Sequence, residues 1–276
     1  MTGALTEPFA QLHPASRPSQ SRDSLPVVLL HGGNVASWMW EPQLAALSHR
    51  TVITPDLPGF GSRTEETWPG LGGAADDVVH RVEALTGHRR FHVVGLSLGG
   101  LVALHLAARH PGSVASVLAS GAPLQPVRGL HRLSARLQLA LWERPWFWRA
   151  QAAAFRLPPD SRGLYVSHGL SVRRDTARGM LDEIHAGASP TGLDAYAGPM
   201  LLVAGEREAR VVRTSMNTVT DLPSGAHTRL APGMHHVWSI EDPDLFGDMI
   251  TAWLDGRVEP RLLPADERAR EVPGAP

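Results

Sequence analysis

A short apolar run, Phe91-His92-Val93-Val94, leads directly into Gly95-Leu96-Ser97-Leu98-Gly99-Gly100, and then into the helical pattern Leu101-Val102-Ala103-Leu104-His105-Leu106-Ala107-Ala108-Arg109. A buried strand that turns into a helix through G-x-S-x-G has the form of a nucleophile elbow. The serine takes strained backbone dihedrals, and the flanking glycines let the two elements close around it. Ser97 is thereby expected to stand proud of a sheet edge, at the positive end of the following helix.

Elsewhere short apolar runs alternate with helical patterns, which predicts βαβ units and a mainly parallel twisted sheet with helices on both faces, an α/β fold. Residues 114–119, 199–204 and 227–230 are expected to be strands. A closing helix is marked by Asp242 as N-cap and Pro243 in the first turn. Leu245, Phe246, Met249, Ile250, Trp253 and Leu254 follow at helical spacing, with Gly256 after the end.

The 276 residues are enough for one domain with a large core. A formal charge of −1 gives no attraction to nucleic acid or to a membrane surface. All 26 basic residues are arginine, so Schiff-base chemistry through lysine is excluded, and the absence of cysteine excludes disulfides and thiolate catalysis. The first 24 residues lack the apolar stretch of a signal peptide and no later run could span a bilayer, so a cytoplasmic location is expected.

Two further segments carry a resemblance. Val27-Val28-Leu29-Leu30 followed by His31-Gly32-Gly33-Asn34 is similar to the third strand and oxyanion loop of the α/β-hydrolase family. Trp38-Met39-Trp40-Glu41-Pro42-Gln43-Leu44 is similar to its first helix, and Asp56-Leu57-Pro58-Gly59-Phe60-Gly61-Ser62 to its D-x-P-G-x-G-x-S loop. The resemblance covers residues 25–125 and 195–256. It implies an α/β-hydrolase domain over 25–256 with a helical cap inserted at about 124–195, after an N-terminal extension, 1–24, that leaves the sheet short, and before a tail, 257–276.

The resemblance also implies a Ser-acid-His order. His227, His235 and His236 lie beyond the penultimate strand, and His227 begins a strand. The family places Glu-x-Pro five residues after its catalytic histidine, and Glu241-Asp242-Pro243 then selects His236, with His235 as the alternative. For the acid, Gly205-Glu206-Arg207-Glu208 stands where the family has Gly-x-x-Asp, so Glu208 takes the aspartate's register and Glu206 competes with it. The site after residue 119 is empty, because 121–138 contains no carboxylate. The oxyanion hole is expected from the N–H groups of Leu98 and Gly33. His31 and Asp56 are expected to be structural.

The cap region holds Trp142, Trp146, Phe147, Trp148 and Phe155. These aromatics either roof the nucleophile or anchor the cap. Under the first reading Trp142, Trp146 and Phe147, together with Asn34, line the substrate pocket. Arg128, Arg132 and Arg136 recur at i, i+4 as a solvated helix face, and the scattered histidines lack metal-site spacing.

The resulting expectation is a cofactor-free serine hydrolase with no metal site, a monomer or homodimer, that acts on an ester or thioester of a small apolar substrate. A nucleophilic serine argues against haloalkane dehalogenase or epoxide hydrolase chemistry. Carbon–carbon bond hydrolases, haloperoxidase-like enzymes and lyases share the same groups, and a non-catalytic ligand-binding member is the remaining alternative.

Overall fold

The computed structural model describes residues 6–7, 10–16, 24–126, 137–219 and 225–265. Among the described residues nine strands form one sheet: β1 (Thr6–Glu7), β2 (Ala10–His13), β3 (Val27–Leu30), β4 (Val52–Pro55), β5 (Phe91–Leu96), β6 (Val114–Ser120), β7 (Met200–Gly205), β8 (His227–Ala231) and β9 (Leu263–Pro264). Their order is β1-β2-β4-β3-β5-β6-β7-β8-β9. The six strands from β3 to β8 pair in parallel, with Val28 opposite both Ile53 and Val93, Val94 opposite Leu118, and Leu118 opposite Leu201. Every residue of β3 to β7 is buried, as expected of parallel strands covered on both faces.

The helices account for that cover. They are α1 (Glu41–Leu44), α2 (Gly70–Thr86), α3 (Leu98–Arg109), α4 (Pro145–Ala154), α5 (Pro159–Ser171), α6 (Arg174–Ala186), α7 (Arg210–Ser215), α8 (Trp238–Glu241) and α9 (Pro243–Leu254). α3 lies between the sheet and α2, so Leu101, Val102, Leu104 and Leu106 are all fully buried in one core. On the opposite face Phe246, Met249, Ile250 and Trp253 of α9 pack with Trp40 and Trp238. α9 begins as its sequence specifies: the Asp242 carboxylate accepts from the Leu245 N–H at 2.9 Å. Gly256 follows its end at φ +75°.

The described residues near both ends correct the expectation. The extension 1–24 does not leave the sheet short. β2 pairs antiparallel with β4, Leu12 opposite Ile53, and β1 pairs with β2. An edge strand is held by main-chain hydrogen bonds that any side chain permits, so it needs little apolar material. Residues 263–264 of the tail also return to the sheet. β9 pairs antiparallel with β8, and Leu262 is buried beneath it. The Arg261 guanidinium bridges Glu259 and Asp248 at 2.6 Å each.

Between β6 and β7 the chain leaves the sheet and forms the helical layer α4–α6. Its core is aromatic: Trp142 and Trp148 meet edge to face at 4.7 Å, and Tyr165 stands 5.9 Å from Trp148. The indole N–H of Trp148 donates to the Trp142 carbonyl, and that of Trp142 to the Val172 carbonyl. Gly169 is required here, since a Cβ would lie 2.5 Å from the Trp148 ring. The layer is tied to the body by Glu183 of α6, whose carboxylate accepts from the Leu71 N–H in the first turn of α2 at 3.0 Å and from Trp68 Nε1 at 3.1 Å. Arg128, Arg132 and Arg136 fall outside the described residues.

Candidate active site

Ser97 occupies the turn between β5 and α3 at φ 54° and ψ −113°, a conformation that a non-glycine residue adopts only under constraint. The constraint is the closeness of strand and helix. A Cβ on Gly95 would lie 2.1 Å from the Gly99 carbonyl oxygen, and one on Gly99 would lie 2.1 Å from the Leu30 carbonyl oxygen. The Ser97 N–H donates to the Ser120 carbonyl at 2.7 Å, and its own carbonyl accepts from Leu101. The turn is thus held from β6 and from its own helix.

The acid and histidine come from adjacent loops at the same sheet edge. After β7, Glu208 folds back so that Oε2 accepts from the Gly205 N–H at 3.0 Å and Oε1 faces His236 Nδ1 in a short hydrogen bond. The glutamate side chain is 2 % exposed and the imidazole 28 %. Burial disfavours the imidazolium, but the facing Glu208 carboxylate and its hydrogen bond outweigh that, so the His236 pKa stands above its ordinary value.

The two loops are stitched together. Glu206 N–H donates to the Ala231 carbonyl and Arg207 N–H to the Met234 carbonyl. A Cβ on Gly205 would strike the Met234 and His235 carbonyls at 2.4 Å.

These contacts separate the candidates left open by the sequence. Glu206 Oε2 accepts from the Gly233 N–H at 2.8 Å, which shapes the histidine loop. His235 is held by Glu241, which meets both its N–H and its Nδ1. The histidine and carboxylate brought together are therefore His236 and Glu208.

In the His31-Gly32-Gly33-Asn34 loop, the Leu57 N–H donates to His31 Nε2 at 2.9 Å, so Nδ1 carries the proton and donates to the Gly32 carbonyl at 2.8 Å. His31 is wholly buried and its pKa is lowered, chiefly by desolvation. Asp56 accepts from the Ser37 N–H and from the N–H and hydroxyl of Ser62, which makes it the anchor of its loop. Gly33 adjoins Leu98: its Cβ position is 3.9 Å from Leu98 Cβ and 3.2 Å from Met180 Sδ of α6.

Ser97, His236, Gly33, Leu98 and Asn34 all line one cavity of about 250 Å³. Its walls are mostly apolar and include Val35, Phe155, Leu157, Met180 and Ile184. Asn34 takes the left-handed conformation at φ 63°.

Trp142, Trp146 and Phe147 do not line this cavity, which corrects the first of the two readings, that they roof the nucleophile. Trp142 turns into the core of the helical layer, Trp146 is 56 % exposed, and Phe147 packs on Trp148. Helical phase decides this outcome: the side of α4 that meets the cavity carries Gln151, followed by Phe155 just past its end. Phe155 approaches the His236 ring at 6.1 Å. Composition marks aromatics without saying which way they turn, and nothing local to Gly121, Gln151 or Met180 signals that they approach the site.

Other histidines serve the scaffold: His92 bonds Ser116, His105 the Ala188 carbonyl, and His110 the Asp76 carboxylate. Among the described residues no group of three or more metal-ligating side chains assembles, and no helix is long and apolar enough to cross a membrane.

Comparison with known proteins agrees with this architecture. Residues 26–220 match the family described as the alpha/beta hydrolase fold. A relative in Pantoea ananatis, provisionally named carbamate hydrolase RutD, is 27 % identical over 92 % of this chain and 97 % of its own. A pimeloyl-[acyl-carrier protein] methyl ester esterase of Neisseria meningitidis is 34 % identical, over 37 % of this chain and 40 % of its own. A thermophilic esterase from Thermogutta terrifontis superposes with a TM-score of 0.69 at 24 % identity, covering 90 % of this chain and 94 % of its own, a likeness of fold. With a family match across most of its length and a sheet, elbow and loop order to go with it, the chain belongs to the α/β-hydrolase fold family.

Proposed function

We propose that the protein is a serine hydrolase that cleaves a carboxylic ester or thioester of a small, largely apolar substrate through Ser97, His236 and Glu208. The observation that carries this reading is the Glu208–His236 pair, set beside a serine held at positive φ in one apolar cavity. The Nδ1–H of His236 donates to Glu208, which leaves the Nε2 lone pair free to accept the Ser97 hydroxyl proton.

Ser97 Oγ attacks the substrate carbonyl carbon as its proton passes to Nε2. The carbonyl oxygen becomes an oxyanion held by the N–H groups of Leu98 and Gly33. The imidazolium is stabilised by Glu208 and returns its proton to the departing alcohol or thiol, leaving an acyl-serine. A water molecule then gives a proton to His236 and attacks the acyl carbon. Collapse of that intermediate releases the acid and restores the serine hydroxyl. No step requires a cofactor.

Incubation with a fluorophosphonate and a series of p-nitrophenyl esters of increasing acyl length tests the reading. Wild type is expected to label and turn over, with the optimum among acyl groups that a 250 Å³ cavity holds. Ser97→Ala is expected to abolish labelling and to lower kcat by about four orders of magnitude or more. Absence of both in folded wild type, or hydrolysis of a vinylogous diketone but not of esters, would overturn it.

A further inference from the structure

The roof of the cavity is not uniformly apolar. Gln151 of α4 and Tyr165 of α5 both line it, and the Tyr165 hydroxyl donates to Gln151 Oε1 at 2.6 Å. Tyr165 is 3 % exposed and is wedged between Trp148 at 5.9 Å and Phe155 at 6.2 Å, so its ring is fixed. With the carboxamide oxygen engaged by the phenol, the orientation of Gln151 is set, and its NH2 group carries two donors that meet no acceptor among the described residues.

Phe155 also stands 6.1 Å from His236, so one phenyl ring separates the imidazole from the tyrosine. An apolar pair would join α4 and α5 without burying the Tyr165 hydroxyl. A donor held at a fixed orientation on the wall of an apolar cavity instead selects ligands that present an acceptor there.

We infer that Gln151 is a specificity-determining residue, positioned by Tyr165, and that the preferred substrate is an ester or thioester carrying a hydrogen-bond acceptor such as a keto or amide oxygen on the part of its chain that runs along the Phe155 wall. This rests on the hydrolase reading above. The apolar wall accepts the connecting chain, and the carboxamide accepts its polar end. A purely alkyl chain of the same length leaves the two donors desolvated and unpaired, and is turned over less well.

The test compares kcat/KM for p-nitrophenyl 5-oxohexanoate and 6-oxoheptanoate with that for the hexanoate and heptanoate, after active sites are counted by fluorophosphonate labelling. Wild type is expected to favour at least one oxo ester about tenfold over its alkyl partner. Gln151→Leu is expected to bring that ratio to about one or below. Tyr165→Phe is expected to reduce the ratio while the carboxamide remains, the mark of a positioning residue. A merely structural pair would change thermal stability in these variants without moving the ratio. A labelled wild type with a ratio of one, or a ratio that persists in Gln151→Leu, would overturn the inference. An unlabelled, inactive wild type would overturn the hydrolase reading and this inference with it.

Discussion

Gly121, directly after β6, governs where the acid can stand. It takes φ +64°, and a Cβ there would lie 3.1 Å from Glu208 Oε1, His236 Nδ1 and His236 Cε1. That glycine leaves room for a carboxylate arriving from the β7 loop on a side chain one methylene longer than aspartate. Gly121→Ala should push the imidazole out of line and lower kcat about a hundredfold with the fold intact, checked by kinetics alongside near-UV circular dichroism.

The charge of Glu208 sets a second expectation at this scale. In the proposed mechanism His236 is a base only when neutral, and its pKa is raised, so the acid limb of kcat/KM should fall off at an inflection above the ordinary histidine value. Glu208→Gln removes the carboxylate that raises it. The inflection should then move to lower pH while the maximal rate drops by orders of magnitude, and an unmoved inflection in the pH profile would refute the assignment.

Among the elements, the helical layer over the site is stabilised by its own aromatic core. Trp148→Ala removes a fully buried indole that contacts Trp142 and Tyr165 and should cost about 3–5 kcal/mol. Trp146→Ala, at an exposed position, should cost within about 0.5 kcal/mol. Chemical denaturation of the two variants measures the contrast. Glu183→Ala removes the carboxylate that meets both the start of α2 and Trp68. It should loosen the layer from the body, seen as faster proteolysis of α4–α6 with β-sheet protection unchanged.

For the whole molecule, His168 of α5 gives stability a pH dependence. Its ring is buried, its Nε2 meets no hydrogen-bond partner among the described residues, and its pKa is lowered to about 4, chiefly by desolvation. The unfolded chain therefore takes up the proton first as pH falls. The contribution of His168 is complete above about 6.5 and is lost between there and about 4, on the order of 3 kcal/mol. Urea unfolding at pH 7.5 and 4.5 should show a loss that His168→Gln diminishes.

What the sequence determined by itself is whatever neighbouring residues enforce. The G-x-S-x-G turn, the buried parallel strands and the Asp242 cap all follow from local sterics and hydrophobic period, and their elements stand where those patterns placed them, while the expected order of serine, acid and histidine came from the resemblance to the family. Tertiary structure decided what depends on partners distant in sequence. Glu208 rather than Glu206 meets His236 because Gly233 claims Glu206, and His235 is turned away by Glu241. Trp142 faces its own layer because Trp148 and Val172 receive it there, and the first strands join the sheet through main-chain bonds that side-chain pattern does not encode. A side chain's direction within a packed interior is a property of the neighbours that surround it, and those neighbours come together only when the chain has folded.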